Sequence, residues 1–131
     1  MADTDNTQAG GLTVLIVDDE IGFTDVLAKR LLKRGIHATK TYSGTQSIQT
    51  LRNKDFHCAV LDLKMEDMDG IEVLKIFKKM APDMAVIMLT GHGCEESAQE
   101  GMALGASAYL IKPCGLEELI DTIRKTIGTP R

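Results

Sequence analysis

Apolar runs and helical patterns alternate five times along this chain. The apolar runs cover Leu12–Val17, Ile36–Thr41, residues 58–61, residues 85–89 and Ala108–Ile111, each of strand length. Helical spacing of apolar residues follows over residues 22–34, Gly44–Asn53, Gly70–Met80, residues 95–104 and Leu116–Ile127. The last helix is the clearest: Leu116, Leu119, Ile120, Ile123 and Ile127 share one face, and Gly128 and Pro130 mark its end. Gly35 ends the first helix just after Lys33 and Arg34, whose charges suit a helix C-terminus. Strands alternating with helices predict an α/β domain with a parallel sheet covered on both faces. Residues 14–17, 59–61 and 85–89 are apolar throughout, as strands buried on both faces should be. The second run alternates and the fifth is mixed. The first, third and fourth strands are therefore expected in the centre, with the second and fifth at the edges.

The polar residues that end these runs carry the candidate chemistry. Asp18-Asp19-Glu20 follows the first run, Asp62 the third, Thr90-Gly91 the fourth and Lys112-Pro113 the fifth. Ligands of open parallel sheets bind beyond the carboxyl ends of the strands, where these signatures would converge. Three carboxylates there repel one another, and a hard divalent cation such as Mg²⁺ relieves the repulsion. Beside such a cation, Asp62 is a candidate nucleophile toward phosphorus. Lys112 and Thr90 are then candidates to neutralise and hydrogen-bond phosphoryl oxygens. Taken singly, each has a plainer role. Asp18 and Asp19 can cap the following helix, Glu20 can cap it or face water, Thr90 can be a turn hydroxyl, and Lys112 a surface lysine before a proline. The joint pattern is far less expected by chance than its parts.

Composition narrows the classes. The chain of 131 residues suits one domain, placed at residues 12–128. Residues 1–11 are expected to be a disordered tail, and residues 129–131 a C-terminal tail or the start of a linker. A formal net charge of −4 disfavours a nucleic-acid-binding surface. No apolar run approaches the roughly 20 residues of a membrane span, and the acidic N-terminus lacks a secretory pattern, so a cytoplasmic location is expected. Cys58, Cys94 and Cys114 form no C-x-x-C pair and are expected to be reduced thiols. No glycine-rich phosphate loop follows the first strand, and an acidic pair stands where a flavin phosphate would need to sit. A phosphatase with an aspartate nucleophile would want a second aspartate two residues on, where this chain has Lys64. The methionines form no stripe and suit core filling.

These residues together resemble the receiver domains of response regulators in bacterial two-component signalling. The resemblance covers residues 12–127. It rests on L-I-V-D-D-E ending at Glu20, V-L-D-L-K-M ending at Met65, Asp69-Gly70, M-L-T-G-H-G ending at Gly93 and A-Y-L-I-K-P ending at Pro113. It implies a flavodoxin-like fold, five parallel strands in the order 2-1-3-4-5 with five helices. It implies that Asp62 is the phosphoacceptor, served by a histidine kinase or phosphotransfer protein, and that the domain catalyses its own phosphorylation and dephosphorylation. Asp19 matches the direct Mg²⁺ ligand and Asp18 its acidic neighbour, acting through water. Lys64 stands where the family supplies a backbone carbonyl to the metal. Thr90 matches the switch hydroxyl, Tyr109 the switch aromatic and Lys112 the phosphate-binding lysine, whose bond to Pro113 is often cis in this family. Lys64 and His92 occupy positions that tune the phosphate lifetime. Output through the face of the fourth helix, fifth strand and fifth helix is implied, to an effector domain, a target protein or a second copy. One departure stands out: Glu66 replaces the family's usual proline. It is expected to change the stiffness of the loop over residues 65–69, and with it kinase docking or metal affinity.

Overall fold

The computed structural model describes residues 11–91 and 95–127. The expected tails, apart from Gly11 in the first, and His92 and Cys94 lie outside the described residues. The elements are β1 (Leu12–Val17), α1 (Ile21–Lys33), β2 (Ile36–Thr41), α2 (Gly44–Asn53), β3 (Cys58–Asp62), α3 (Gly70–Met80), β4 (Ala85–Thr90), α4 (Glu95–Ala103), β5 (Ala108–Ile111) and α5 (Leu116–Ile127). The five strands form one parallel sheet in the order β2-β1-β3-β4-β5. As expected, β1, β3 and β4 are central, with β2 and β5 at the edges.

Two strands run one residue further than the apolar pattern predicts. β3 includes Asp62 and β4 includes Thr90. The polar side chains do not end the strands, because pairing continues: Asp62 stands opposite Leu89, and Thr90 opposite Ile111. Both groups are thus fixed by sheet hydrogen bonding rather than left on free loops.

Alternation along the strands divides the core in two. Val14 and Ile16 of β1 face Leu27 and Leu31 of α1 and Leu119, Ile120 and Ile123 of α5. Leu15 and Val17 face the other way, toward Leu51 of α2, Val73, Leu74 and Phe77 of α3 and Ala98 of α4. A one-residue slip of β1 would exchange these sets, so burial on both faces locks the register. The same register aligns the strand ends that carry the polar signatures.

Two glycines position the chain. Gly35 takes φ +81 where α1 turns into β2, a conformation that a side chain disfavours. At Gly70 the start of α3 lies directly on the end of β3: a Cβ there would sit 2.5 Å from Leu63 Cα and 2.7 Å from the Asp62 carbonyl. By contrast, a Cβ on Gly22 in α1 would meet nothing within 4 Å. Gly70→Ala should therefore cost about 1–3 kcal/mol of stability through backbone displacement, whereas Gly22→Ala should be neutral or stabilise by up to about 1 kcal/mol. Urea unfolding of both variants checks this, and equal effects would contradict the close packing at Gly70.

Candidate functional site

The four signatures converge at the carboxyl edge of the sheet. Asp18 leaves β1 buried, at 2% exposure, and Asp62 ends β3 at 7%. One oxygen each from Asp18, Asp19 and Asp62 can be chosen so that all three lie within 4.8 Å of one another. Lys112 reaches in from the end of β5. Its Nζ donates to Asp18 Oδ2 at 2.8 Å and to Glu20 Oε1 at 3.0 Å, and stands 3.8 Å from Asp62 Oδ2. The Lys112-Pro113 peptide bond is cis. One ammonium thus faces three carboxylates, with Asp19 beside them.

The plainer role for the acidic pair is not what the fold uses. The N-cap position of α1 belongs to Glu20, which makes no side-chain cap. Asp18 instead accepts the Glu20 amide at 3.0 Å, while Thr24 Oγ1 donates to the carbonyls of Asp18 and Glu20. These bonds turn the chain sharply out of β1 and leave Asp18 Oδ2 to Lys112. Asp19 accepts the backbone amide of Glu66 at 3.1 Å. A proline at that position could make no such bond.

The electrostatics follow from burial and crowding. Burial raises the Asp62 carboxyl to about 6, with the charges of Asp18 and Asp19 adding to it. The Lys64 amide, which donates to Asp62 Oδ1 at 3.1 Å, and Lys112 pull the other way. Unfolded, Asp62 titrates near its ordinary 3.8. Its protonated form therefore favours the fold below about pH 4, and that stabilisation is lost as pH rises through about 6. For Lys112, burial acts to lower the pKa, but the Asp18 and Glu20 carboxylates overcome it and hold the ammonium above its ordinary value. Clustered hard oxygen donors with excess negative charge suit a hard divalent cation. The donor set thus fits Mg²⁺, with Asp18, Asp19 and Asp62 as its anionic groups.

The remaining candidates are placed as follows. Lys64 has an exposed side chain and pairs with Asp69 in an isolated antiparallel bridge. It lines an open cavity of about 510 Å³ with Asp19, Met65, Glu66, Asp69 and Ser97. Thr90 is 1% exposed, and its hydroxyl donates to the Gly91 carbonyl at 3.3 Å rather than to Asp62. Its own carbonyl accepts the Lys112 amide at 2.7 Å, tying β4 to β5 at the site. Tyr109 is half-buried against the core shared by α2, α3 and α4. It stands opposite Met88, so strand alternation puts it on the same sheet face as Thr90. Cys58 and Cys114 are free thiols, as expected.

Sequence reasoning missed Phe23. Its ring centroid lies 4.6 Å from Lys112 Nζ, a cation–π contact that adds to the ion pairs holding the ammonium. A single aromatic in the first turn of a helix gives no sequence signal for such a role. Phe23 also borders an apolar cavity of about 360 Å³ between α1 and α5.

Comparison with known proteins places the fold and the family. The family model for the response regulator receiver domain matches residues 14–124. The transcriptional regulatory protein ZraR of Salmonella typhimurium is 32% identical over 122 residues, covering 93% of this chain and 28% of that protein. ZraR of Escherichia coli K12 is 33% identical over 117 residues, 89% of this chain and 26% of that protein. The chain thus spans little more than a quarter of these curated relatives. A receiver domain protein from Clostridium thermocellum superposes with TM-score 0.85 at 31% identity, over 89% of this chain and 94% of that one. NtrX from Brucella abortus, solved in complex with ADP, superposes with TM-score 0.86 at 26% identity, over 91% of this chain and 27% of that one. By its family match and its strand order, this chain belongs to the response regulator receiver domains of two-component signalling systems.

Proposed function

We propose that this receiver is switched by phosphorylation of Asp62, with the phosphohistidine of a histidine kinase or phosphotransfer protein as donor. The observation that carries this reading is the meeting of Asp18, Asp19 and Asp62 with Lys112 at one sheet edge. An Asp62 carboxylate oxygen attacks phosphorus in line. The new O–P bond forms as the P–N bond breaks, and the imidazole leaves with that bond's electron pair. Mg²⁺, when held by Asp18, Asp19, Asp62 and the Lys64 carbonyl, neutralises charge on the carboxylates and the phosphoryl group. Lys112 exchanges its contact with Asp18 for a phosphoryl oxygen, over a distance its flexible stem covers. In dephosphorylation the same residues hold the aspartyl phosphate while water attacks phosphorus. The P–O bond to Asp62 breaks, its electron pair returns to the carboxylate, and inorganic phosphate leaves with the water oxygen. The domain thus promotes both reactions without a separate catalytic subunit.

The switch runs through Thr90. A phosphoryl group on Asp62 adds nearly two negative charges and three strong acceptors. The Thr90 hydroxyl gives up the Gly91 carbonyl for one of them, and the vacated space admits Tyr109. The surface formed by α4, β5 and α5 then changes and meets an effector domain, a target protein or a second copy of the chain. The donor reaches Asp62 past the start of α1, where Ile21, Phe23 and Val26 are exposed. The acidic balance fits protein partners better than nucleic acid, and a kinase donor fits a cytoplasmic setting. Among the described residues, no helix is long and apolar enough to cross a membrane.

Two outcomes are expected. Incubated with a small-molecule phosphodonor such as acetyl phosphate, the protein should gain one phosphoryl group by intact mass. The gain should require Mg²⁺ and be absent in Asp62→Asn; an unchanged gain in that variant would contradict Asp62 as acceptor. Thr90→Ala should still take up the phosphoryl group. Amide exchange over residues 95–127 should then respond much less to phosphorylation than in the parent, and a full response would remove Thr90 from the switch.

A further inference from the structure

The loop over residues 64–69 joins β3 to α3 and carries groups of the site at its start. Lys64 donates its amide to Asp62, and Glu66 donates its amide to Asp19. Little apolar burial holds this stretch, since Lys64 and Glu66 are exposed and Met65 is only half-buried. What holds it is Asp67. Its Oδ1 accepts the Gly44 amide at 3.0 Å, and its Oδ2 accepts the Thr45 amide at 3.0 Å and the Thr45 hydroxyl at 2.9 Å. Gly44 and Thr45 are the first two residues of α2, whose amides have no partner within the helix. The third amide, that of Gln46, is satisfied by Ser43 Oγ at 3.0 Å. A carboxylate on two free amides at the positive end of a helix is a favoured arrangement. Consistent with that, the Thr45 amide first, helped by the Gly44 amide and the Thr45 hydroxyl, holds the Asp67 carboxyl below its ordinary value against the opposing effect of burial. The next residue fits the same anchor: Met68 packs so closely on Gly44 that a Cβ there would lie 2.9 Å from its sulfur.

We propose that Asp67 is a positioning residue for the metal site: it clamps the loop to α2 and so holds the Glu66 amide on Asp19 and the Lys64 carbonyl in place for the cation. Asp67 touches neither Asp19 nor Asp62 among its hydrogen bonds and acts through the loop backbone. In this chain the side-chain clamp does the work that a rigid backbone at residue 66 would otherwise do. The inference rests on the metal-dependent reading of the site given above.

The test is Mg²⁺ binding by calorimetry on the parent, Asp67→Ala, Asp67→Asn and Ser43→Ala, with urea unfolding of each. Ser43→Ala removes a cap from the same helix without touching the loop. It should lose stability and keep the parent's Mg²⁺ affinity. Asp67→Ala should weaken Mg²⁺ binding about tenfold, the scale seen when an outer partner of a metal ligand is removed. Asp67→Asn keeps one acceptor and should fall between the two, which also covers the case of an Asp67→Ala that does not fold. Affinity unchanged in both Asp67 variants, or lowered as much in Ser43→Ala, overturns the inference while leaving the metal site standing. A parent that binds no Mg²⁺ overturns the metal reading and the inference with it.

Discussion

Like charges forced together at a sheet edge govern this molecule. Two unit charges 4.8 Å apart repel by roughly 3–4 kcal/mol at an effective dielectric of about 20. A few such pairs rival the whole stability of a domain, about 5–15 kcal/mol. Three aspartates cannot stand there uncompensated. Lys112 supplies one compensating charge, paired with Asp18 at 2.8 Å and in contact with the Phe23 ring. Amides supply the rest: Glu20 on Asp18, Glu66 on Asp19 and Lys64 on Asp62. Burial nevertheless keeps Asp62 near 6, far above an ordinary carboxyl. An edge that still lacks positive charge suits a hard divalent cation, which the proposed phosphoryl transfer to Asp62 would use.

That arrangement depends on the sheet. Parallel pairing brings the ends of β1, β3, β4 and β5 to one edge, and burial on both faces prevents any strand from slipping. Asp62 and Thr90 lie inside the last paired positions of their strands. The cluster is therefore rigid where charge must be positioned. The Thr90 hydroxyl bonds its neighbour's carbonyl at 3.3 Å, a contact it can give up for a new acceptor.

Much of this was legible in the chain because the information is local. Unbroken apolar runs marked β1, β3 and β4 as central, and the mixed runs marked β2 and β5 as edges. The residues that end those runs named the cluster, since the topology of a parallel sheet decides where strand ends go. The ends of β3 and β4 fell one residue short, because a polar side chain says nothing about whether its backbone still pairs. The contacts around the cluster were not legible. Phe23 on Lys112, Glu20 on Lys112 and Asp67 on the start of α2 join residues that are 89, 92 and 22–23 positions apart, and none has a spacing that predicts the contact. Glu66 was visible as a departure. Its consequence, an amide offered to Asp19, appears only once the loop is folded back over β1.

The most direct test of the central constraint is the titration of Asp62 itself. Carbon-13 NMR of the labelled carboxyl groups, with Asp62→Asn to assign the signal, follows it between pH 3 and 8 with a chelator and then with Mg²⁺. The account predicts a midpoint near 6 without metal, shifted downward when Mg²⁺ is added, since a bound cation favours the charged form. A midpoint near 4 in both conditions would show that Asp62 is neither buried among like charges nor shares a cation.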